Sequence, residues 1–336
     1  MAFLKALDCS RVIRRNPDSP RQKKLLSARE AIVPGEEVEM SLVPFFSTAK
    51  GQAYLCSIEE FLNSKKAASL KGKVNLILTS PPYPLVIPKK YGNMKGTEYL
   101  NWMSELSVGL AELLTEDGSM VVEIGNAWTP KSPTMSTLPL ETLISIGKSA
   151  NLNVCQQLIW NNPSKLPGPA FWVNIKRERV TDSFTHIWWY SKSEHPKANN
   201  RNVLQPYKPG MEKLIARQSY NSGARPSGHR VSKEGFLTHN GGSIPQSVLN
   251  YSNTGTDNEY RDWCKDNDVP MHPARMPITV ADFFIKFLTD PKDLILDPFG
   301  GSCTTGKSAE NLKRRWICIE REEDYLFGAK GRFQNL

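Results

Sequence analysis

Leu294-Ile295-Leu296-Asp297-Pro298-Phe299-Gly300-Gly301-Ser302 places a glycine turn between an apolar run and a helical pattern that starts at about Thr304. So short an apolar run reads as a buried strand over Asp293 to Leu296, and the glycines after it let the backbone approach a ligand closely. The helix gives way to a second apolar strand, Trp316 to Ile319, and then to a last helix, so this part of the chain spells a complete βαβ unit. Glu320 closes the second strand, 19 residues after Gly301. An acid in that place accepts from both hydroxyls of a ribose in dinucleotide-like sites, and the unit reads as a nucleoside site. A glycine pair alone is more often just a tight loop; strand, helix and acid together favour the ligand.

Upstream, the same alternation repeats. Val74 to Leu78 is a buried strand stopped by Thr79-Ser80-Pro81-Pro82, because two prolines cannot join a ladder. Tyr99, Leu100, Met103, Leu106, Leu110, Leu113 and Leu114 then fall at helical spacing, ended by Glu116-Asp117-Gly118. Strand Ser119 to Gly125, helix Leu138 to Ala150 and strands Val154 to Trp160 and Phe184 to Tyr190 follow, with an earlier strand at Gln52 to Leu55. Strands alternating with helices predict an α/β fold with a mostly parallel sheet. From about Ser193 to Asn258 the pattern breaks into Asn, Ser, Gly, Pro and Arg, which reads as a loop-rich insert, and Val280, Phe284, Phe287 and Leu288 then restore a helical stripe.

The 336 residues carry 43 Lys and Arg against 34 Asp and Glu, a net charge of +9. Between Trp160 and Gly235 there are 13 basic residues and 5 acidic ones, so one central stretch nearly matches the whole excess. On charge alone, a solvated lysine-rich surface and a polyanion-binding face are equally consistent. In the insert, however, Tyr207, Arg217, Tyr220, Arg225, His229 and Arg230 supply the donors and stacking faces of nucleic-acid readout. Arg217, Arg225 and Arg230 are the candidate nucleic-acid contacts, with the loop from Pro84 to Lys95 as the other place for recognition. A second basic cluster, Arg11 to Arg29, reads as a mobile arm. No apolar run approaches the roughly 18 residues that cross a bilayer, and Met1 to Asn16 does not read as a signal peptide, so a cytoplasmic protein is expected. Six cysteines stand singly, with no zinc-ligand spacing, so reduced thiols and no metal are expected.

Thr79-Ser80-Pro81-Pro82-Tyr83 lies at the carboxyl end of an apolar strand, where open α/β sheets place their ligands. The prolines stiffen the loop and remove two N–H donors, leaving nearby carbonyls as acceptors for a substrate amino group. Ser80 adds a hydroxyl, and Tyr83 a flat face on which a base can stack. Standing alone, the motif reads as a proline turn with a buried tyrosine.

Together the two motifs resemble the amino-methylating DNA methyltransferases, in which Asp-Pro-Phe-x-Gly-Ser is the S-adenosylmethionine loop and Ser-Pro-Pro-Tyr the catalytic loop. The catalytic loop comes first, then the basic insert, then His272-Pro273 to Leu288, then the cofactor loop. That order resembles the circularly permuted β class, and the serine of the tetrapeptide the cytosine-N4 subgroup. The resemblance covers about Gln52 to Phe333 and implies a Rossmann-like, mostly parallel sheet with an inserted target-recognition region. It divides the chain into a basic arm (1–48), a catalytic half (49–192), the insert (193–265) and a cofactor half (266–336). It implies that Ser80, Pro81, Pro82 and Tyr83 are catalytic. It also implies that Asp297, Phe299, Gly300, Gly301 and Ser302 wrap the methionine part of the cofactor, that Glu320 holds the ribose, that Pro277 and Thr279 line the methionine tail and that Ser57 and Ile58 flank the adenine. Cys303 stands where many members have a second glycine and is read as packing; Glu123 is read as a satisfied strand carboxylate rather than a support for the catalytic loop.

The implied reaction is methyl transfer to the exocyclic N4 of a cytosine flipped out of duplex DNA, by a monomeric bacterial enzyme of a restriction system, without a metal. The alternatives are an adenine-N6 methyltransferase, which meets the same exocyclic amine, a non-catalytic DNA-binding regulator on the same fold, and an RNA or protein methyltransferase.

Overall fold

The strand ended by the proline pair is β3 (Val74–Thr79), and its buried residues lie on both faces because it runs through the middle of a sheet. The computed structural model describes residues 42–83, 96–254 and 257–334; the basic cluster Arg11 to Arg29 and the loop Pro84 to Lys95 lie outside them. Before β3 come β1 (Phe46–Ser47), β2 (Gly51–Leu55) and the short helices α1 (Ile58–Leu62) and α2 (Lys65–Ala68). After it come α3 (Gly96–Leu113), β4 (Leu114–Gly125), the small ribbon β5 (Ala127–Trp128) and β6 (Met135–Ser136), α4 (Leu138–Ser149), β7 (Asn153–Asn161) and β8 (Phe184–Ser191). β4 starts five residues before the expected Ser119, and its pairing with β3 skips from Leu114 to Ser119 through an irregularity at the acidic turn.

Among the described residues the main sheet has nine strands in the order β1-β2-β13-β12-β3-β4-β8-β7-β11. Here β11 is Val248–Asn250, β12 is Leu294–Asp297 and β13 is Arg315–Glu320. The central strands β2, β13, β12, β3 and β4 are parallel, as the strand-helix alternation predicts. β8 joins antiparallel to β4 and β7, because no long helix lies between β7 and β8 to carry the chain back for a parallel return. The order reverses between β12 and β3: β13 lies on one side of the pair and β4 on the other. Such a switch point opens a crevice at the carboxyl ends, and Asp297 and Thr79 stand there as neighbours.

Both faces are covered. On one, α3 buries Tyr99, Met103, Leu106, Leu110 and Leu113, a helical stripe that meets Phe61 of α1 and Leu143 and Ile146 of α4. On the other, α7 (Ile278–Leu288) places Val280, Phe284 and Leu288 against the sheet, joined by α8 (Thr304–Asn311) and α9 (Glu323–Ala329).

The region 193–265 holds more order than its composition suggests: α5 (Pro209–Arg217), a hairpin of β9 (Gly223–Ala224) and β10 (Arg230–Val231), then β11 and α6 (Asn258–Asp266). β11 pairs parallel with β7, and Leu249 is fully buried, so the end of this region belongs to the sheet rather than to an insert. A three-residue strand is too short to show a hydrophobic period, which is why composition misplaced it.

Candidate active site

The β12 loop builds the first half of the site. Asp297 is buried and accepts from Thr79 Oγ1 (2.9 Å), Thr305 Oγ1 (2.7 Å) and the Phe299 N–H (3.1 Å), so it locks β12 to β3 and to the start of α8. Burial raises its pKa to about 6, although these hydrogen bonds pull the other way. The Gly300 N–H donates to the Ile319 carbonyl at 2.7 Å, and Gly301, at φ +50°, donates to Glu320 Oε2 at 2.8 Å. Only glycine adopts that dihedral without cost, and a Cβ there would lie 3.1 Å from His272 Nε2. Glu320 Oε1 accepts from the Glu322 N–H at 2.9 Å, and burial raises the Glu320 pKa. The Arg321 N–H is a third backbone donor to this carboxylate, which is thereby held in place at the end of β13 beside the glycine loop. Ser302 is buried and faces the C-terminal 3-10 turn, where Arg332 donates to its carbonyl (2.6 Å) and to its Oγ (3.1 Å) and grips Asp257 with both terminal nitrogens. Cys303 is fully buried at φ +53°, the conformation a glycine would supply, and packs beside Cys318, whose thiol is pushed up by burial and by that neighbour.

The β3 loop builds the second half. Ser80 Oγ donates to Glu123 Oε2 and Tyr83 OH donates to Glu123 Oε1, each at 2.5 Å, and the two hydroxyl oxygens are 3.2 Å apart. Glu123, 2% exposed on the next strand, therefore anchors both polar groups of the tetrapeptide. The reading of Glu123 as a satisfied strand carboxylate rather than a support for the catalytic loop is corrected: the groups that satisfy it are those of the loop itself. Burial, then the Glu123 charge, raises the Tyr83 pKa well above its ordinary value, so the phenol stays a donor. The Tyr83 ring lies on Gly125, where a Cβ would come within 2.7 Å of it. Tyr83 is thus a held ring rather than a loose stacking face. Pro81 is buried and Pro82 half-buried.

The remaining residues are spread around this centre. Ser57 caps α1 in a reciprocal box with Glu60, and Ile58 points into the core, so the hydroxyl and the apolar side chain both have structural work. Pro277 is buried at the start of α7, and Thr279 is exposed on its first turn. Arg217 ends α5, Arg225 sits in the β9–β10 turn with its guanidinium on the Asn221 carbonyl, and Arg230 is exposed on β10. Sequence reading missed Trp102, whose ring meets Phe299 edge-on at 5.7 Å and whose Nε1 donates to Glu59 at 2.6 Å. No local signal marks it, since on α3 it looks like one more stripe residue. Among the described residues no group of His, Cys, Asp and Glu is placed to hold a metal, and no helix is long and apolar enough to cross a membrane.

A glycine loop with a ribose-type acid, facing an acid-anchored Ser-Pro-Pro-Tyr across the switch point, defines a group-transfer site for a nucleoside-bearing donor and an amine acceptor. A family model of the DNA methylases matches residues 74–330. The chain is 38% identical over 292 residues to the type II methyltransferase M.PvuII of Proteus hauseri, covering 86% of this chain and 85% of that one. It is 24% identical over 257 residues to M.BglII of Bacillus subtilis, covering 75% and 61%. The solved PvuII DNA methyltransferase (cytosine-N4-specific) superposes with a TM-score of 0.70 at 32% identity, covering 87% of this chain and 90% of that one. The M1.HpyAVI–SAM complex shares the fold, with a TM-score of 0.50 at 20% identity over 84% of this chain and 99% of that one. The chain belongs to the DNA methylase family. At 38% identity it is a relative of M.PvuII and a distinct protein.

Proposed function

We propose that the protein transfers the methyl group of S-adenosylmethionine to the exocyclic N4 of a cytosine flipped out of duplex DNA, at a specific site, as the modification enzyme of a restriction system. The Ser80–Glu123–Tyr83 cluster carries this reading. An aromatic amine is a poor nucleophile because its lone pair is delocalised into the ring, and it improves when acceptors hold its hydrogens in a pyramidal geometry. Glu123 accepts the hydrogen bond of the Ser80 hydroxyl, so the Ser80 oxygen turns lone pairs to the substrate, and the carbonyl of buried Pro81 adds a second acceptor. When the nitrogen is methylated it sheds a proton; Ser80 accepts it while passing its own to Glu123. Tyr83, tied to the same carboxylate, fixes the cluster and offers the exposed part of its ring to the flipped base.

When bound, S-adenosylmethionine supplies a methyl group on a positively charged sulfur, a good leaving group. The residues fit it: the Glu320 carboxylate, held at the loop by backbone N–H groups, would hold the ribose, and Asp297, Phe299, Gly300, Gly301 and Ser302, with Pro277 and Thr279, would hold the methionine part. Trp102, edge-on to Phe299 and hydrogen-bonded to Glu59 of α1, would wall the adenine side together with Ser57 and Ile58. Arg217, Arg225 and Arg230 contact DNA from 193–265, and the enzyme acts as a monomer in the bacterial cytoplasm.

The test is tritiated methyl transfer onto duplex DNA, followed by nucleoside analysis and mapping of the modified site. N4-methylcytosine at one sequence supports the reading. N6-methyladenine would move it to the neighbouring amine, and DNA binding without transfer would make the protein a regulator. The intact cluster and cofactor loop oppose the regulator, and the cytosine-N4 specificity of the solved PvuII methyltransferase favours cytosine.

A further inference from the structure

The connection between β7 and β8 bears a surface that methyl transfer does not use. It leaves β7 at Asn161 and re-enters β8 at Phe184, and Thr185 pairs with Gly125, the residue under the Tyr83 ring. It therefore rises from the catalytic end of the sheet. Its base is pinned: Asp182 accepts from Asn126 (2.8 Å) and Lys165 (3.0 Å), and Asn126 meets His186 Nε2 at 3.0 Å. Its tip is the reverse. The single helical turn Phe171–Ile175 buries no side chain, and Leu166 (84%), Phe171 (47%), Ile175 (70%) and Val180 (87%) are exposed within fifteen residues. A rigid base carrying so many exposed apolar side chains is built for contact.

Charge selects the partner. Lys176 and Arg177 follow the turn, both exposed, while Arg179 is packed over the Trp128 ring with its terminal nitrogens buried and serves the base of the connection. Exposed basic groups flanking exposed apolar ones, on a connection that rises from the catalytic end of the sheet, match a nucleic acid whose stack must be opened there.

We propose that the turn Phe171–Ile175 is a wedge that enters the DNA duplex at the target pair, Phe171 and Ile175 filling the space the flipped base leaves while Lys176 and Arg177 take phosphate acceptors. It rests on the base-flipping reading above. The wedge pays for part of the unstacking, so it matters in proportion to how firmly the target base is held. A cytosine opposite an abasic site is already loose and needs little help.

The experiment measures single-turnover methyl transfer by the full chain and by Phe171→Ala, Ile175→Ala and the double variant, on duplexes carrying the mapped site. In one duplex the target cytosine faces guanine, in the other an abasic position. The expected result is a loss of about ten- to a hundredfold on the paired duplex, restored to within about threefold of the parent on the abasic one. Equal losses on both duplexes would overturn the wedge, as would normal transfer to paired DNA, which would leave the apolar tip to a protein partner. A parent enzyme that methylates neither duplex would overturn the functional reading itself, and the wedge with it.

Discussion

Replacing Glu123 by glutamine keeps the size of the side chain and removes the charge on which Ser80 and Tyr83 converge. The carboxylate accepts two hydroxyls, one on each oxygen, both at 2.5 Å. An amide accepts on one side only; on the other its NH2 meets a hydroxyl whose proton has lost its acceptor. One charge-assisted hydrogen bond is worth about 1.5–3 kcal/mol, and losing the group that takes the shed proton costs about 10²–10⁴ in rate. The turnover of Glu123→Gln should therefore fall by about 10²–10⁴. Glu123 hydrogen-bonds neither Glu320 nor the Asp297 loop, so calorimetric affinity for S-adenosylhomocysteine should stay within about threefold. The two losses from Ser80→Ala and Glu123→Gln should be strongly non-additive, since both break one relay. The assay is rapid-quench transfer of a tritiated methyl group. Near-normal turnover in Glu123→Gln, or a cofactor affinity that falls as far as the rate does, would refute the relay.

Four further outcomes are expected. Glu320→Ala should weaken S-adenosylhomocysteine binding without changing DNA affinity measured alone; in the parent, that binding should weaken as pH falls toward the raised Glu320 pKa, because protonation removes an acceptor, and calorimetry across pH checks both. Asp297 has a folded pKa of about 6 against 3.8 when exposed, so the folded state holds its proton more tightly and stability is lost as pH rises through 6. Asp297→Asn should remove that slope and gain about 1–2 kcal/mol relative to the parent between pH 5 and pH 8 in urea unfolding; parallel curves for the two proteins would contradict it. Gly125→Ala should push the Tyr83 ring off its seat and lower methyl transfer more than it lowers cofactor affinity. Alanine at Arg217, Arg225 or Arg230 should either weaken binding to all duplexes with a salt slope shallower by about one, or cost about 1–3 kcal/mol on the proper site only; three variants that bind and discriminate like the parent would move recognition elsewhere.

The central strands and the main helices were legible because their signals are local. β3 and β12 are short apolar runs with stops beside them, α3 and α7 carry one stripe each, and the Gly301 to Glu320 spacing places an acid against the loop backbone, where it is found. The sequence by itself thus determined the central strands, the main helices and the place of the two loops. What it left open is what meets across the chain. Thr79 and Asp297 bond over 218 residues, Glu123 reaches Ser80 from 43 residues away, and Arg332 grips Ser302 from beyond the last helix. Strand order and direction decide those meetings, and hydrophobic period carries no information about which strand pairs with which. An acid in a buried run such as Ser119 to Gly125 looks the same whether it faces an apolar neighbour or the hydroxyl of a loop serine. Only the packed sheet, which sets β4 beside β3 with their carboxyl ends aligned, makes Glu123 part of the site.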